Sequence, residues 1–294
     1  MSFPAQLPPL QSELPPEALR VLAAARRHAT PCGDGEAVWH VWGDDAHPPL
    51  VLLHGGSGSW THWIRNVEAL AAAGRRVVVP DLPGFGDSAR PPGGQDADAV
   101  APVLAQGLRQ LLGDAPVDIA GFSFGGLCGT LLAASEPALV KRLVLVGAPG
   151  LGLRSKRLPL TTWRDQPTLE GRMAAHRSNL ATLMLHRPEA IDDLAVSLQA
   201  ANVPRDRMHR RRLALTDIVL QTLPTLACPV DAIYGAVDAL YVQAMDRLEP
   251  LLRHAPRFGE LVLVPGAGHW VPYEAPAAFQ RELLRLLSSA PPQR

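Results

Sequence analysis

The chain has 294 residues, 47% of them apolar, and carries 28 Lys+Arg against 28 Asp+Glu. That length and apolar share allow one large core, or a core with an insertion. The balanced charge supplies no overall field for nucleic acid or an anionic membrane, so a small-molecule substrate is the expected partner, and a homodimer stays open. Residues 1–14 are proline-rich and read as irregular, and a short helix is predicted from Pro15 to about His28. Short apolar runs then recur: Ala37–Trp42, Leu50–Leu53, Arg76–Val79, Val117–Ala120 and Arg142–Val146, separated by helical stretches or Gly/Pro turns. Near-continuous Val/Leu runs of this kind belong to a parallel sheet buried on both faces.

The pattern stops at Pro149-Gly150 and resumes at Val230–Tyr234 and Leu261–Val264, before a last amphipathic helix around Ala277 to Leu287. Between them the segment is rich in Arg, Leu and Ala, with helices predicted over Arg172–His186 and Ile191–Asn202. A helical insertion over the carboxyl ends of a parallel sheet acts as a lid. The organisation read from the chain is thus a first core part over 1–149, a lid over 150–225 and a second core part over 226–294.

Gly121-Phe122-Ser123-Phe124-Gly125 follows an apolar run and opens a small-residue helix. Glycines two positions either side of a serine let the chain turn sharply and leave the hydroxyl exposed above the sheet. A serine hydroxyl is a poor nucleophile near neutral pH and needs a base and a group to orient that base. Asp238 follows one later strand, and His269 sits in the turn after the next. The chain order Ser, Asp, His is that of a triad at the strand ends of an α/β enzyme. Backbone amides usually receive the negative charge that forms on the attacked carbonyl oxygen. Phe124 is one expected donor, and Gly56, with Ser57 as second choice, is the other, in the turn His54-Gly55-Gly56-Ser57-Gly58-Ser59-Trp60. His54 is expected to brace that turn through its ring nitrogens rather than to move protons.

Those motifs, with Trp63-Ile64-Arg65-Asn66, Asp81–Ser88 and Gly268–Glu274, resemble the α/β-hydrolase fold superfamily over nearly the whole chain outside the N-terminal segment. The flavour is that of the meta-cleavage product hydrolases, which cut carbon–carbon bonds in vinylogous 1,5-diketones. The resemblance implies a mostly parallel central sheet flanked by helices, an inserted helical lid, a Ser-His-Asp triad and no cofactor. In that branch a Trp and an Arg-Asn pair follow the glycine-rich turn, and a Trp follows the catalytic His; Trp60, Arg65-Asn66 and Trp270 match. Trp60, Asn66 and Trp270 are accordingly candidate pocket residues. The branch also carries a lid arginine that binds the substrate's carboxylate end, and Leu198 falls at its place here. Arg211 or Arg212 could substitute, although the run Arg205, Arg207, Arg210, Arg211, Arg212 reads as a solvated helix face. A carboxylic ester is therefore the first expected substrate and a meta-cleavage diketone the second, with a non-catalytic ligand-binding protein on the same fold as a reading of another class.

Cys32, Cys128 and Cys228 stand too far apart for a C-x-x-C pair, and the ten histidines lack metal-ligand spacing, so reduced thiols and no metal are expected. The glycine-rich turn lacks the phosphate-loop lysine, and no G-x-G-x-x-G follows the first strand. The N-terminus has neither a basic n-region nor an apolar h-region, which makes a cytoplasmic location the expectation.

Overall fold

The computed structural model describes residues 14–153 and 158–290, so the predicted irregularity of residues 1–13 lies outside them. In chain order the core begins with α1 (Pro16–Ala23), β1 (Arg26–Cys32), β2 (Gly35–Trp42), β3 (Pro49–Leu53), α2 (Val67–Ala72), β4 (Arg76–Pro80), α3 (Ala97–Leu112), β5 (Val117–Phe122), α4 (Phe124–Ser135) and β6 (Val140–Val146). An excursion carrying α5 (Leu169–Asn179), α6 (Asp193–Asn202) and α7 (Ile218–Thr222) follows, with no strand among its described residues. The core resumes with β7 (Val230–Gly235), α8 (Met245–Leu252), β8 (Phe258–Val264), α9 (Val271–Glu274) and α10 (Pro276–Ser288).

The eight strands form one sheet in the order β1-β2-β4-β3-β5-β6-β7-β8. β1 and β2 are antiparallel to their neighbours, and every pair from β4 to β8 is parallel. The apolar runs have this form because successive side chains point to opposite faces and both faces are covered. Val51, Leu53 and Val78 join the cluster under α3, α4 and α8, whereas Leu50, Leu52, Val77 and Val79 join the cluster under α1, α2 and α10. Strands β3, β5, β6, β7 and β8 thus present their carboxyl ends on one rim.

The predicted first helix is corrected at its end: it stops at Ala23, and Arg26–Cys32 pairs with β2 along its whole length. A sheet-edge strand gains its stability from one neighbour, so Arg-Arg-His-Ala-Thr-Pro-Cys shows no apolar period. In the excursion the cap chemistry matches the helix starts. Thr168 Oγ1 accepts the Gly171 N–H at 3.0 Å before α5, and Asp192 Oδ1 accepts the Ala195 N–H at 2.8 Å before α6. The Arg-rich run from 205 to 212 is not a helix but a loop with single turns. No helix among the described residues is long and apolar enough to cross a membrane. The three cysteines are free and buried.

Candidate active site

One residue separates β5 from α4, and it is Ser123. Its φ of 49° and ψ of −118° lie outside the regions comfortable for an L-residue. The Ser123 N–H donates to the Val146 carbonyl at 2.8 Å, and its own carbonyl accepts the Gly126 N–H at 2.8 Å, so strand and helix are both clamped to this turn. The flanking glycines are sterically required. A Cβ on Gly121 would stand 2.5 Å from the Gly125 carbonyl oxygen, and one on Gly125 would strike the carbonyls of Leu53 and His54. The half-buried hydroxyl is thereby left on the rim of the sheet, at the start of a helix whose first amides have no intrahelical partner.

Further along the rim, Asp238 follows β7 and His269 follows β8, and His269 Nδ1 lies 2.7 Å from Asp238 Oδ2. Both side chains are almost completely buried, and Asp238 Oδ1 accepts the Leu240 N–H at 2.9 Å. Gly147, just beyond β6 at φ 56°, underlies the pair: a Cβ there would come within 3.1 Å of His269 Cε1 and 3.4 Å of Asp238 Oδ2. The His269 loop is anchored from both sides. Gly268 N–H donates to Glu274 Oε2 at 2.6 Å, and Trp270 N–H donates to the Met184 carbonyl in the excursion at 2.7 Å. The same buried Glu274 carboxylate accepts the Arg187 N–H at 2.6 Å and the His186 N–H at 3.2 Å.

After β3 the chain makes the glycine-rich turn. His54 Nδ1 donates to the Gly55 carbonyl at 2.8 Å while its Nε2 accepts the Leu82 N–H at 2.8 Å, an arrangement only the neutral ring can make. Burial pushes its pKa down to about 4. The brace expected of this histidine is thus the contact it makes. Ser57 takes φ 54°, and its Oγ donates to Asp206 Oδ2 of the excursion at 2.6 Å. Asp81, which precedes Ser123, spends its carboxylate on the Trp60 and Asp87 amides at 2.8 Å each.

Gly56, Ser57, Ser123, Phe124 and His269 all line one cavity of about 1070 Å³. Its far wall comes from the excursion and is mostly apolar, with Leu153, Leu158, Leu160, Leu183, Met184 and Leu215. That volume sits at the upper end of small-ligand pockets, which span about 300–1,000 Å³. Among the described lining residues Arg211 is the one Arg or Lys, with Nη1 on both Asp206 oxygens at 2.8 and 2.7 Å.

Four expected pocket residues do not line this cavity. Trp60 packs in the core against the rings of His40 and Trp42. Asn66 donates to the Pro272 carbonyl at 2.8 Å and accepts from Gln280, tying loops together. Trp270 turns away from His269, stacks on Tyr273 at 4.2 Å and donates its indole N–H to the His62 carbonyl at 2.8 Å. Leu198 is fully buried within the apolar cluster that includes α6. In each case a satisfied polar atom or a closed apolar contact leaves nothing for a ligand. The arginine run is also corrected: Arg210 and Arg212 are exposed, whereas Arg207 donates to the carbonyls of Gly86 and Ser88, and Arg211 faces the cavity. Asp206, Glu274 and Gly147 were not anticipated. The contacts that tie them to the site, Asp206 to Ser57, Glu274 to Arg187 and Gly147 to the His269–Asp238 pair, span 149, 87 and more than 90 residues, and sequence spacing does not announce them.

The sequence model of the α/β-hydrolase fold matches residues 48–276. A 2-hydroxy-6-oxo-6-phenylhexa-2,4-dienoate hydrolase from Burkholderia cepacia is 26% identical, over 91% of this chain and 93% of that one. A 2-hydroxy-6-oxononadienedioate/2-hydroxy-6-oxononatrienedioate hydrolase from Burkholderia vietnamiensis is 30% identical, over 81% of this chain and 86% of that one. Among solved structures, an esterase from Rhodococcus sp. superposes with a TM-score of 0.71 at 27% identity, covering 90% of this chain and 99% of that one.

Proposed function

Since the chain belongs to the α/β-hydrolase fold family, on the branch of the meta-cleavage product hydrolases, and is a hydrolase, we propose that it cleaves a carboxylic ester with a sizeable apolar group by a Ser-His-Asp mechanism. The observation that carries this reading is the buried His269–Asp238 pair, 2.7 Å apart, opening onto the same cavity as a serine held at φ 49°. Substrate lies between the rim of the sheet and the excursion, which acts as a lid. Ser123 Oγ attacks the ester carbonyl as His269 takes its proton, and Asp238 holds the ring with Nδ1–H toward itself and stabilises the imidazolium. The Phe124 amide, free in the first turn of α4, and the Gly56 amide receive the oxyanion, with Ser57 as the neighbouring donor. His269 then protonates the leaving alkoxide and activates the water that splits the acyl enzyme. No step calls for a cofactor.

Carbon–carbon cleavage of a vinylogous 1,5-diketone is a second reading, favoured by the names of the relatives and by Arg211, whose guanidinium reaches the cavity where Leu198 does not. Arg211 is already paired with Asp206, which weakens it as a handle for a free carboxylate and ranks the ester first. Parallel assays with a short nitrophenyl ester and a phenyl-substituted ring-cleavage dienone separate the two, and a dienone rate far above the ester rate reverses the ranking. Ser123→Ala is expected to abolish hydrolysis by roughly 10⁶ in turnover and to block labelling by an organophosphonate probe. Unlabelled wild-type protein, or hydrolysis that survives in Ser123→Ala, points instead to a binding protein on this fold.

A further inference from the structure

Among the described residues only two non-glycine positions have positive φ, Ser123 and Ser57. The first is clamped by β6 and α4. The second, in the glycine-rich turn, is held by the excursion. Ser57 Oγ donates to Asp206 Oδ2 at 2.6 Å, and Arg211 Nη2 donates back to Ser57 Oγ at 3.3 Å. Asp206 is 9% exposed and is itself fixed by both oxygens: Arg211 Nη1 reaches each of them, and Oδ1 accepts the Met208 N–H at 2.8 Å. The Arg211 guanidinium carbon lies 3.5 Å from where a Gly56 Cβ would stand, and 5.1 and 5.6 Å from the ring centroids of Phe85 and Phe124. Neighbouring residues bind this segment to the core. Arg207 N–H donates to the Gly84 carbonyl at 2.9 Å, and Arg205 pairs with Asp87.

A serine in the left-handed region persists only where its surroundings over-determine it, at a cost of order 1–3 kcal/mol. A part-buried hydroxyl-to-carboxylate bond of 2.6 Å is a constraint of the kind required. The orientation of the Gly56–Ser57 peptide, which carries the Ser57 amide, depends on that backbone angle, and the Gly56 amide belongs to the preceding peptide of the same turn. We propose that Asp206 is a positioning residue for the oxyanion turn: acting through Ser57 and Arg211, it makes the productive geometry of residues 56 and 57 conditional on docking of the 205–211 segment. This rests on the serine hydrolase reading above. It couples the wall that selects the substrate to the groups that stabilise the transition state.

The test uses the full chain and nitrophenyl acetate, a substrate too small to need the far wall of the cavity. Asp206→Ala and Ser57→Ala are each expected to lower kcat about 10- to 100-fold, below the loss of a whole oxyanion donor. KM should stay within about twofold, since the lost interaction belongs to the transition state. The double variant should be no slower than the slower single one, because both remove the same contact. Asp206→Asn, which keeps an acceptor for Ser57 but gives up the ion pair, should fall between wild type and Asp206→Ala. Labelling of Ser123 by an organophosphonate, carried to completion in every variant, verifies that the nucleophile turn is folded. An unchanged kcat, a loss confined to KM, or multiplicative effects of the two alanine substitutions in labelled protein overturns the role of Asp206 alone. Wild-type protein that is not labelled overturns the underlying reading, and this role with it.

Discussion

Backbone strain in this protein is concentrated where chemistry is proposed, at Ser57 and Ser123. Gly147 extends the pattern in another way, because its positive φ strains any side chain there and a Cβ would crowd the His269 ring at 3.1 Å. Gly147→Ala is expected to cost about 1–3 kcal/mol of stability from backbone strain. It should also displace His269 enough to lower kcat at least about tenfold, since small misplacements of a reacting group are costly. Denaturant unfolding and ester hydrolysis on one preparation check both, and wild-type turnover in Gly147→Ala would show that the ring tolerates the push. At this scale the sequence was legible where covalent spacing dictates geometry. Gly121, Ser123 and Gly125, placed after an apolar run and before a small-residue helix, announce the sharp turn that the neighbouring strands then clamp. It was not legible for Trp60, Trp270 and Leu198, because an apolar side chain suits a core and a pocket equally and only its neighbours decide which. The same holds for Asp206, an acid in an arginine-rich run whose partner is a serine in another part of the chain.

At the level of elements, α9 is a single turn with a large structural burden. Its last residue, Glu274, gathers amides from the His269 loop and from residues 186 and 187 of the excursion on one buried carboxylate. Glu274→Ala leaves three N–H groups without their acceptor, and a buried donor that loses its partner costs about 1–3 kcal/mol. The variant is expected to unfold at clearly lower urea concentration and to lose turnover through a loosened His269 loop. A urea midpoint equal to that of wild type would mean that water replaces the carboxylate. β1 illustrates which elements escape a reading of periodicity. Val77–Val79 announces itself because both its faces are buried, whereas Arg26–Cys32 is exposed along much of its length and becomes a strand by pairing with β2.

For the molecule as a whole, the order of apolar runs and the gap between Val146 and Val230 were enough to read a mostly parallel sheet with a helical excursion. How that excursion docks was not readable, because its contacts pair residues far apart in sequence. Acid sensitivity is a property of the whole core. Burial lowers the pKa of His54 and of His176 to about 4, and holds His40 and His62 below the ordinary histidine value. Folded-state values below the unfolded value of about 6.5 mean that the unfolded chain binds more protons between the two. His54 and His176 therefore contribute stability that is complete above about pH 6.5 and declines toward about pH 4, by up to about 1.4 kcal/mol per unit for each ring, and His40 and His62 act in the same direction. Urea unfolding should show a lower midpoint at pH 5 than at pH 7.5, and an equal or higher midpoint at pH 5 contradicts the assignment.

The excursion leaves the sheet after β6 and returns to it at β7, and these two strands are hydrogen-bonded neighbours, with Val146 opposite Ile233. A segment bounded by adjacent strands is a cassette: it can be lengthened, shortened or exchanged without shifting any register in the sheet. Such an exchange would reshape the far wall of the cavity in one step. A grafted cassette must nonetheless bring its own plugs for the sockets it covers, an acceptor for Ser57 where Asp206 now stands, a carbonyl for the Trp270 amide, and amides for Glu274. Substrate range in a scaffold of this kind can diversify only as fast as those three joints are kept.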